Sequence, residues 1–559
     1  MAGVVAQSYH PEKQSIGDLL ALTNPAIVVP DWQRNYSWRI EHVETLWNDL
    51  TLFSDRVGTR ITEEYFFGSL VLVNAADQRL LLLDGQQRLA TCSILLSAIR
   101  DTLNGLDDKL SAYLQDNYLC AYDAIKKDVI NKLQLNVYDR DFFKRLISVA
   151  REDGYVEPVP QYASHHMIKG ARAYFLRVIE DRTRGMQPEE KADWLRRLVD
   201  ILANHFTVIA AYSDNENKAA EVFETLNDRG IGLSTPDLLR NFVIRRTPEG
   251  QRPDVVARWE DVIAFDTDSE IKAFLRHYWI SKHGDVKTQS LYREVKSVIE
   301  QQNIDSAGLS AELSDAAKLY RRIKNAEADT ETDADILSAI DSVGAGASIL
   351  YPAILSIFGT LKGEEITTAL TALLNIYTRD GIIGGIENSV LENRFHRGAR
   401  DLRGHASLAQ LCAALADGAL TDDDVRNRFE RLSLTQNGPR RYLLHRIELA
   451  KRGTEELTVN PPSKVHVEHI YPQTPGAGQR WANHERLVNR LGNLSLLDKR
   501  INSGIRNGVF AAKKPYYAKS EIAMTRELVS YDEWTEDRIA VRQAEFAGLV
   551  PGLWPIVKI

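Results

Sequence analysis

The chain has 559 residues, 44% hydrophobic and 26% charged, with three cysteines and a formal net charge of −8. At roughly 100–200 residues per domain, this predicts about three domains with ample apolar material for their cores, which excludes a mainly disordered chain and a small disulfide scaffold. No apolar run reaches the ~20 residues that span a bilayer, the first residues lack a basic signal-peptide region, and Cys92, Cys120 and Cys412 have no metal or disulfide spacing, so no membrane partner and a cytoplasmic location are expected.

Residues 1–245 read as mixed α/β. Val28-Val29-Pro30 is a short extended piece, and residues 42–53 place Val43, Leu46, Trp47, Leu50 and Phe53 at helical spacing. Residues 65–73 and 79–84 read as two strands joined by a polar turn, a hairpin. A helix over residues 86–103 follows, with Leu89, Cys92, Leu96, Ile99 and Leu103 on one face. Residues 206–212 form a further strand and residues 219–226 a helix. Residues 246–439 are expected to be almost wholly helical, with breaks at Gly284, Gly344 to Gly346 and Gly381 to Gly385. Residues 440–559 open on a helix (441–451) and stop at Asn460-Pro461-Pro462. A strand over 465–470, a Gly-rich loop, an extended piece over 494–497 and a final helix from about residue 535 follow.

The net charge conceals a split. Residues 440–559 hold 19 Lys+Arg against 13 Asp+Glu, a net of +6, so residues 1–439 carry −14; within 440–519 the excess is +9. Such asymmetry points to a polyanion partner for the basic part, with an ordinary solvated surface as an equal alternative on charge alone.

In that basic part, Val465-His466-Val467-Glu468-His469-Ile470-Tyr471-Pro472 gathers two histidines and a carboxylate where a strand runs into a turn. Leu491-Gly492-Asn493-Leu494, Asn502, Lys513-Lys514 and Tyr516-Tyr517 follow. The set suits phosphodiester hydrolysis: a histidine takes a proton from water, a divalent metal offsets developing charge, and basic side chains hold the DNA backbone. A lone His-Glu-His cluster is more often a surface or core feature. The whole pattern in order, Glu-His-Ile-x-Pro, Leu-Gly-Asn-Leu, Asn and Phe-x-x-Lys-Lys-x-Tyr, resembles the HNH-type nuclease domain known as DUF1524. That resemblance makes His469 the general base, with His466 ranked second. It makes Glu468 a metal ligand (the family more often has Asp) and Asn493 the asparagine that orients the base or braces the loops. Asn502 becomes the second metal ligand, where Asn in place of His favours Mg²⁺ or Mn²⁺ over Zn²⁺. Lys499, Arg500, Lys513 and Lys514 are the expected DNA contacts.

Three N-terminal segments carry a second pattern. Residues 30–38 pack Trp32, Gln33, Arg34, Tyr36 and Trp38 together. In Leu83-Asp84-Gly85-Gln86-Gln87-Arg88 a strand runs through Asp-Gly straight into a helix, which presents free N–H groups and a positive dipole end to an anion. Asp84 caps that helix, holds a metal or polarises water, and the paired glutamines favour a polar ligand. Asn227 and Arg229 sit on a Gly-flanked turn before a helix that opens at Ser234 to Asp237. No Walker-type Gly-Lys-Ser/Thr loop is present. Together these segments resemble the DUF262 domain of the ParB/sulfiredoxin-like group. That resemblance implies binding and hydrolysis of GTP or another NTP by Asp84, Gly85, Gln86, Gln87 and Arg88, joined by Gln33, Arg34, Asn227 and Arg229, with Asp84 catalytic.

The expected fold is thus α+β and multidomain. A ParB/sulfiredoxin-like α/β domain spans 1–245, a helical connecting region 246–439, and a ββα-metal, HNH-like domain 440–559. The combination resembles single-chain GmrSD type IV restriction enzymes. It implies an NTP-dependent DNA endonuclease of anti-phage defence that senses modified double-stranded phage DNA through its head and cleaves or nicks with its tail. One alternative is an SspE-like effector that senses phosphorothioate host DNA and nicks unmodified phage DNA. Others are a nucleotide-responsive DNA-binding regulator without catalysis and, more weakly, an NTPase whose basic tail only docks nucleic acid. Trp32, Tyr36, Trp38 or the middle helices are candidates for sensing; oligomeric state, a homo-oligomer included, is open.

Overall fold

The computed structural model describes residues 9–22, 26–58, 61–75, 79–123, 128–149, 155–214, 234–452, 465–505 and 508–559. The chain divides into two units, residues 1–252 and 253–559. Helices dominate both, with a mixed sheet in the first, so the chain is α+β and multidomain.

In the first unit the strands are β1 (Tyr9–Ser15), β2 (Ile27–Val28), β3 (Tyr65–Asn74), β4 (Leu80–Asp84), β5 (Cys120–Asp123), β6 (Asp128–Asn131), β7 (Leu133–Gln134) and β8 (Phe206–Ser213). Six of them form a sheet in the order β1-β8-β3-β4-β2-β7, and β5 pairs with β6. The β3–β4 hairpin is antiparallel, as its sequence predicts, whereas β8 inserts between β1 and β3 and runs parallel to β3. Leu70 to Val73 are all buried, which accounts for their unbroken apolar run in a central strand.

The Gln86–Leu103 helix departs from its one-faced expectation. It is buried on nearly every side, Gln86, Gln87, Thr91, Ser93, Ser97 and Arg100 included. A helix enclosed by its neighbours satisfies most of its polar groups internally, although Ser93 Oγ has no partner among the described residues. Thr91 donates to Gln87 O (2.7 Å) and Ser97 to Ile94 O (2.7 Å). Arg100 spans Gln115, Ile147 O and Asp101, and Asp101 also receives Arg172.

The second unit is helical from Pro253 to Arg452 and also holds the C-terminal strands. Buried polar bonds tie the two stretches together. Arg379, fully buried, donates to Trp554 O (2.9 Å) and to Leu420 O (2.8 Å), and Asn375 donates to Pro555 O (2.9 Å). Near its C-terminal end, β9 (Val465–His469) pairs antiparallel with β10 (Leu494–Asp498). The Lys499–Ile505 helix follows β10 directly and packs on both strands, a strand-strand-helix order. The Asn437–Arg452 and Glu536–Leu553 helices flank this unit and pack on each other.

One buried histidine makes the second unit pH-sensitive. His277 is 7% exposed, bonds Tyr320 OH through Nδ1 at 2.8 Å and stacks on Tyr351. Burial, helped by Arg276 and His396, pushes its imidazole down to about 3. The imidazole therefore stays neutral in the folded chain but takes up a proton in the unfolded chain below about pH 6.5, so stability falls as pH drops through that range. Between pH 7 and pH 5 the loss is about 2 kcal/mol. His277→Asn, which keeps an acceptor for Tyr320, is expected to flatten that slope in urea unfolding measured at both pH values.

Candidate functional site

In the first unit, β4 ends at Asp84 and the Gln86–Leu103 helix starts two residues later. Gly85 makes the turn at φ +92°, and a Cβ there would lie 1.8 Å from Leu70 Cδ2, so no other residue fits. The glutamines after it face inward. Gln86 Nε2 donates to Arg34 O (3.2 Å), Gln87 Nε2 to Asn35 O (3.2 Å), and Gln87 Oε1 accepts from Ser37 N (2.8 Å). Gln33 Nε2 donates to Leu83 O (3.0 Å). Asn136 Nδ2 donates to Gln33 O (2.9 Å), and Asp139 Oδ2 accepts from Tyr36 N (2.7 Å). These amides clamp residues 33–37 onto the helix start.

What remains around that start is charged. Asp84 is half-buried, and desolvation pushes its carboxyl up against the opposing pull of Arg88, the Gly85 N–H and Arg34. Arg88 Nη1 donates to Ser69 O (3.0 Å). Arg34 Nη1 pairs with Asp237 (3.1 Å), while its buried Nε has no hydrogen-bond partner among the described residues. Trp32 and Tyr36, candidates for sensing, are core side chains instead: both are buried, and Tyr36 OH bonds Thr91 Oγ1 (2.8 Å). Trp38 is half-buried and stacks on His42. Asn227 and Arg229 lie outside the described residues.

In the second unit, β9 delivers His469 half-buried at its end. Its Nε2 donates to Asn489 Oδ1 at 3.4 Å, and the same oxygen accepts from Arg440 Nη2 at 2.7 Å. With that oxygen acting as acceptor, the proton sits on Nε2 and Nδ1 carries the lone pair. Burial, with Arg440 and Lys513 nearby, lowers the imidazole to about 4 despite the Asn489 bond.

Asn493 is fully buried and fully paired. Its Oδ1 accepts from Tyr471 N (2.8 Å) and Trp534 Nε1 (3.0 Å); its Nδ2 donates to Tyr471 O (3.0 Å) and Val488 O (3.0 Å). Gly492 before it has no space for a side chain, since a Cβ would lie 2.2 Å from Ile539 O. Arg542 donates to Gly492 O (2.9 Å) and Leu494 O (2.7 Å), and Gln543 Oε1 accepts from Gly492 N (2.8 Å).

Glu468, 5% exposed, accepts Lys513 Nζ (2.7 Å) and Tyr517 OH (2.9 Å) on one oxygen. Lys499 and Arg500 are exposed, Lys514 is half-buried with Nζ donating to Tyr531 O (2.6 Å), and Asn502 is half-buried on the Lys499–Ile505 helix. An open cavity of ≈ 680 Å³ lies nearby in this unit, with Asn427, Arg428, Arg431 and Ser433 in its wall; Ser433 pairs with Arg490 beside Asn489.

Two family models match the chain. The GmrSD restriction endonuclease N-terminal domain covers residues 16–244, and the GmrSD restriction endonuclease C-terminal domain covers residues 420–549. The chain belongs to the GmrSD restriction endonuclease family. No curated protein matches it. It is therefore a nuclease of restriction type, with DNA as its partner. Among the described residues no helix is long and apolar enough to cross a membrane.

The GmrSD C-terminal match starts at residue 420 and takes in the Asp422–Phe429 helix, and the structure shows a reason. Gln543 Nε2, on the last helix, donates to Phe429 O (2.7 Å) and Leu432 O (2.9 Å), so this stretch braces the Gly492 turn. Within the matched region one expectation needs correcting. Lys513 is 1% exposed, so its ammonium is a core group and not a DNA contact. Glu468 Oε1 is bonded to Lys513 and Tyr517. Asn489 and Arg440, the groups that touch or back the histidine, carry no sequence signal that marks them. Lys513 does: Phe510, Lys513 and Tyr517 fall on one face of a helix.

Asn493→Ala would leave two buried donors and two buried acceptors unpaired. An expected loss of about 3 kcal/mol, read from urea unfolding of the full chain, follows from the usual cost of such orphans.

Proposed function

We propose that residues 420–559 form an HNH-type site that hydrolyses DNA phosphodiester bonds with His469 Nδ1 as general base. The single observation that carries this is His469 itself: an imidazole lowered to about 4, its Nε2–H directed at Asn489, at the end of a strand that a second strand and a helix follow. Such a group is neutral at physiological pH and ready to take a proton from a water in line with the phosphorus. The strand-strand-helix order supports the ββα reading of this part.

The phosphate backbone is assigned to the exposed Lys499 and Arg500 and to the arginine-walled cavity of Arg428 and Arg431. The Mg²⁺ or Mn²⁺ implied by the HNH resemblance does not fit Glu468 as the chain holds it, since Lys513 already supplies the charge there. The steps open to the chain's own residues are proton removal at Nδ1 and phosphate binding by arginine and lysine.

The first unit belongs to the same proposal as a ParB/sulfiredoxin-like regulator that binds GTP or another NTP and senses DNA modification. The buried Arg34 Nε, without a partner among the described residues, beside a helix start with Arg88 and Asp84 suits a phosphate group. Gly85, Gln86 and Arg88 would hold it through backbone N–H groups and guanidinium, and a bound NTP would supply a phosphoanhydride whose hydrolysis gates cleavage. Gating is needed because a nuclease without it would cut host DNA.

The test uses the full chain with plain, hydroxymethylated, glucosylated or phosphorothioate DNA, with and without each NTP and with Mg²⁺. His469→Ala is expected to lower cleavage by about 1,000-fold or more while DNA affinity stays within about twofold. In the wild type the acid limb of kcat/KM should fall near pH 4, since the base works only above its own value. Retained cleavage in His469→Ala removes the assignment. Lys499→Ala with Arg500→Ala should reduce the salt slope of DNA binding by about 1–2. Arg88→Ala should abolish the rise in melting temperature that GTP or ATP gives the wild type; an unchanged rise would place the nucleotide elsewhere.

A further inference from the structure

We propose that Glu468 is the buried counter-ion of Lys513, and that this pair fixes the main chain of His469; Glu468 is a positioning residue and not a metal ligand. The proposal rests on the reading of His469 as the base.

The geometry is specific. Lys513 Nζ donates to Glu468 Oε1 at 2.7 Å and to the His469 carbonyl oxygen at 2.6 Å. Tyr517 OH donates to the same carboxylate oxygen at 2.9 Å. The Lys513 and Glu468 side chains are 1% and 6% exposed, and Tyr517 is fully buried. An ammonium buried to that degree persists only if its charge is matched. Burial draws the Lys513 ammonium below its usual range, and the Glu468 charge is the opposing pull that keeps it protonated. Tyr517 is pushed upward by burial and by the same carboxylate, so its hydroxyl keeps its proton and serves as a donor.

A metal on Glu468 would put a divalent charge beside an ammonium already bound to the same oxygen. Like charges at such a separation repel strongly in a buried site. The ammonium instead does two things at once: it neutralises the carboxylate and grips the peptide carbonyl of the residue that carries the imidazole. Strand β9 ends at that residue, opposite Leu494, and the last bond between the two segments runs from Ile470 N to Asn493 O. A carbonyl at a strand end needs a partner, and here the partner is Lys513. The arrangement also joins two sequence patterns of this chain. Glu-His at 468–469 and Phe-x-x-Lys at 510–513 are joined by one ion pair, across 45 residues of chain.

The test compares Glu468→Gln, Lys513→Met and the double variant in the full chain. Binding of Mn²⁺ alone is followed by electron paramagnetic resonance; cleavage is measured as kcat and KM with the active fraction titrated. Glu468→Gln is expected to bind Mn²⁺ as the wild type does, whatever that level is. Its kcat should fall about 10–100-fold, the scale of a small misplacement of a reacting group, with KM for DNA within about twofold. Because Lys513→Met leaves a buried carboxylate alone and risks unfolding, the double variant carries the second arm. It should fold and show a kcat no lower than about that of Glu468→Gln, since the two groups act as one unit. Loss of wild-type Mn²⁺ binding in folded Glu468→Gln overturns the proposal, as does an unchanged kcat. Failure of the base assignment reads out separately, as cleavage that survives His469→Ala.

Discussion

The side-chain amide of Asn493 meets four partners in a space closed to water: the N–H and C=O of Tyr471, the C=O of Val488 and the indole N–H of Trp534. Its own carbonyl accepts from Ile470 N at 2.9 Å. One residue thus joins the exit of β9, the entry to β10 and the segment before the last helix. In a low-dielectric interior such a network is stable only when complete, because each orphaned group costs on the order of 1–3 kcal/mol. The Gly492 turn must therefore sit where Arg542 and Gln543 receive it, and β9 must stop at His469. The place of the imidazole follows from the amide of a residue 24 positions later, not from its own neighbours in sequence.

The first unit uses the same device. Side-chain amides of Gln86, Gln87 and Asn136 supply hydrogen bonds that no strand could supply to the irregular stretch from Trp32 to Ser37, and the Gln33 amide ties that stretch to Leu83 O. Irregular backbone under a buried helix start needs such partners, and an amide offers donor and acceptor together. The result is a rigid rim that leaves Asp84, Arg34 and Arg88 as the charged groups at the helix start. A ligand that meets them finds them held already, which reduces the ordering cost of binding.

Much of this was legible in the chain. The β3–β4 hairpin, the Asp-Gly step into a helix, the all-helical middle and the paired C-terminal strands follow from apolar period and turn residues. Less legible was anything set by long-range packing. β8 pairs parallel with β3 across well over a hundred residues, and no local pattern specifies that. The Gln86–Leu103 helix reads as one-faced because its polar residues look solvated, whereas its partners bury them. The glutamine pair reads as ligand-facing for the same reason. Motif spacing located Glu468, His469 and Asn493, but it could not say that Glu468 meets an ammonium or that Asn489, not Asn493, meets the imidazole.

Burial divides the charge of the C-terminal part into two kinds. A surplus of +9 over residues 440–519 reads as a footprint for a polyanion. Part of it never reaches the surface. Arg440 and Lys513 are buried and bonded to the main chain and to side chains around the imidazole. Arg452 is bound to buried Glu448, and Arg490 to Glu430 O. These cations are structural: a guanidinium with five donors, or an ammonium with three, saturates several loop carbonyls at once where a neutral side chain could not. What faces solvent is a smaller set, among them Arg480, Arg486, Lys499 and Arg500. Counterion release on binding scales with the phosphates contacted and not with formal charge, so the electrostatic share of DNA affinity should track this smaller set. A basic tail in the sequence is thus two populations: cations that build the site and cations that can reach a strand of DNA.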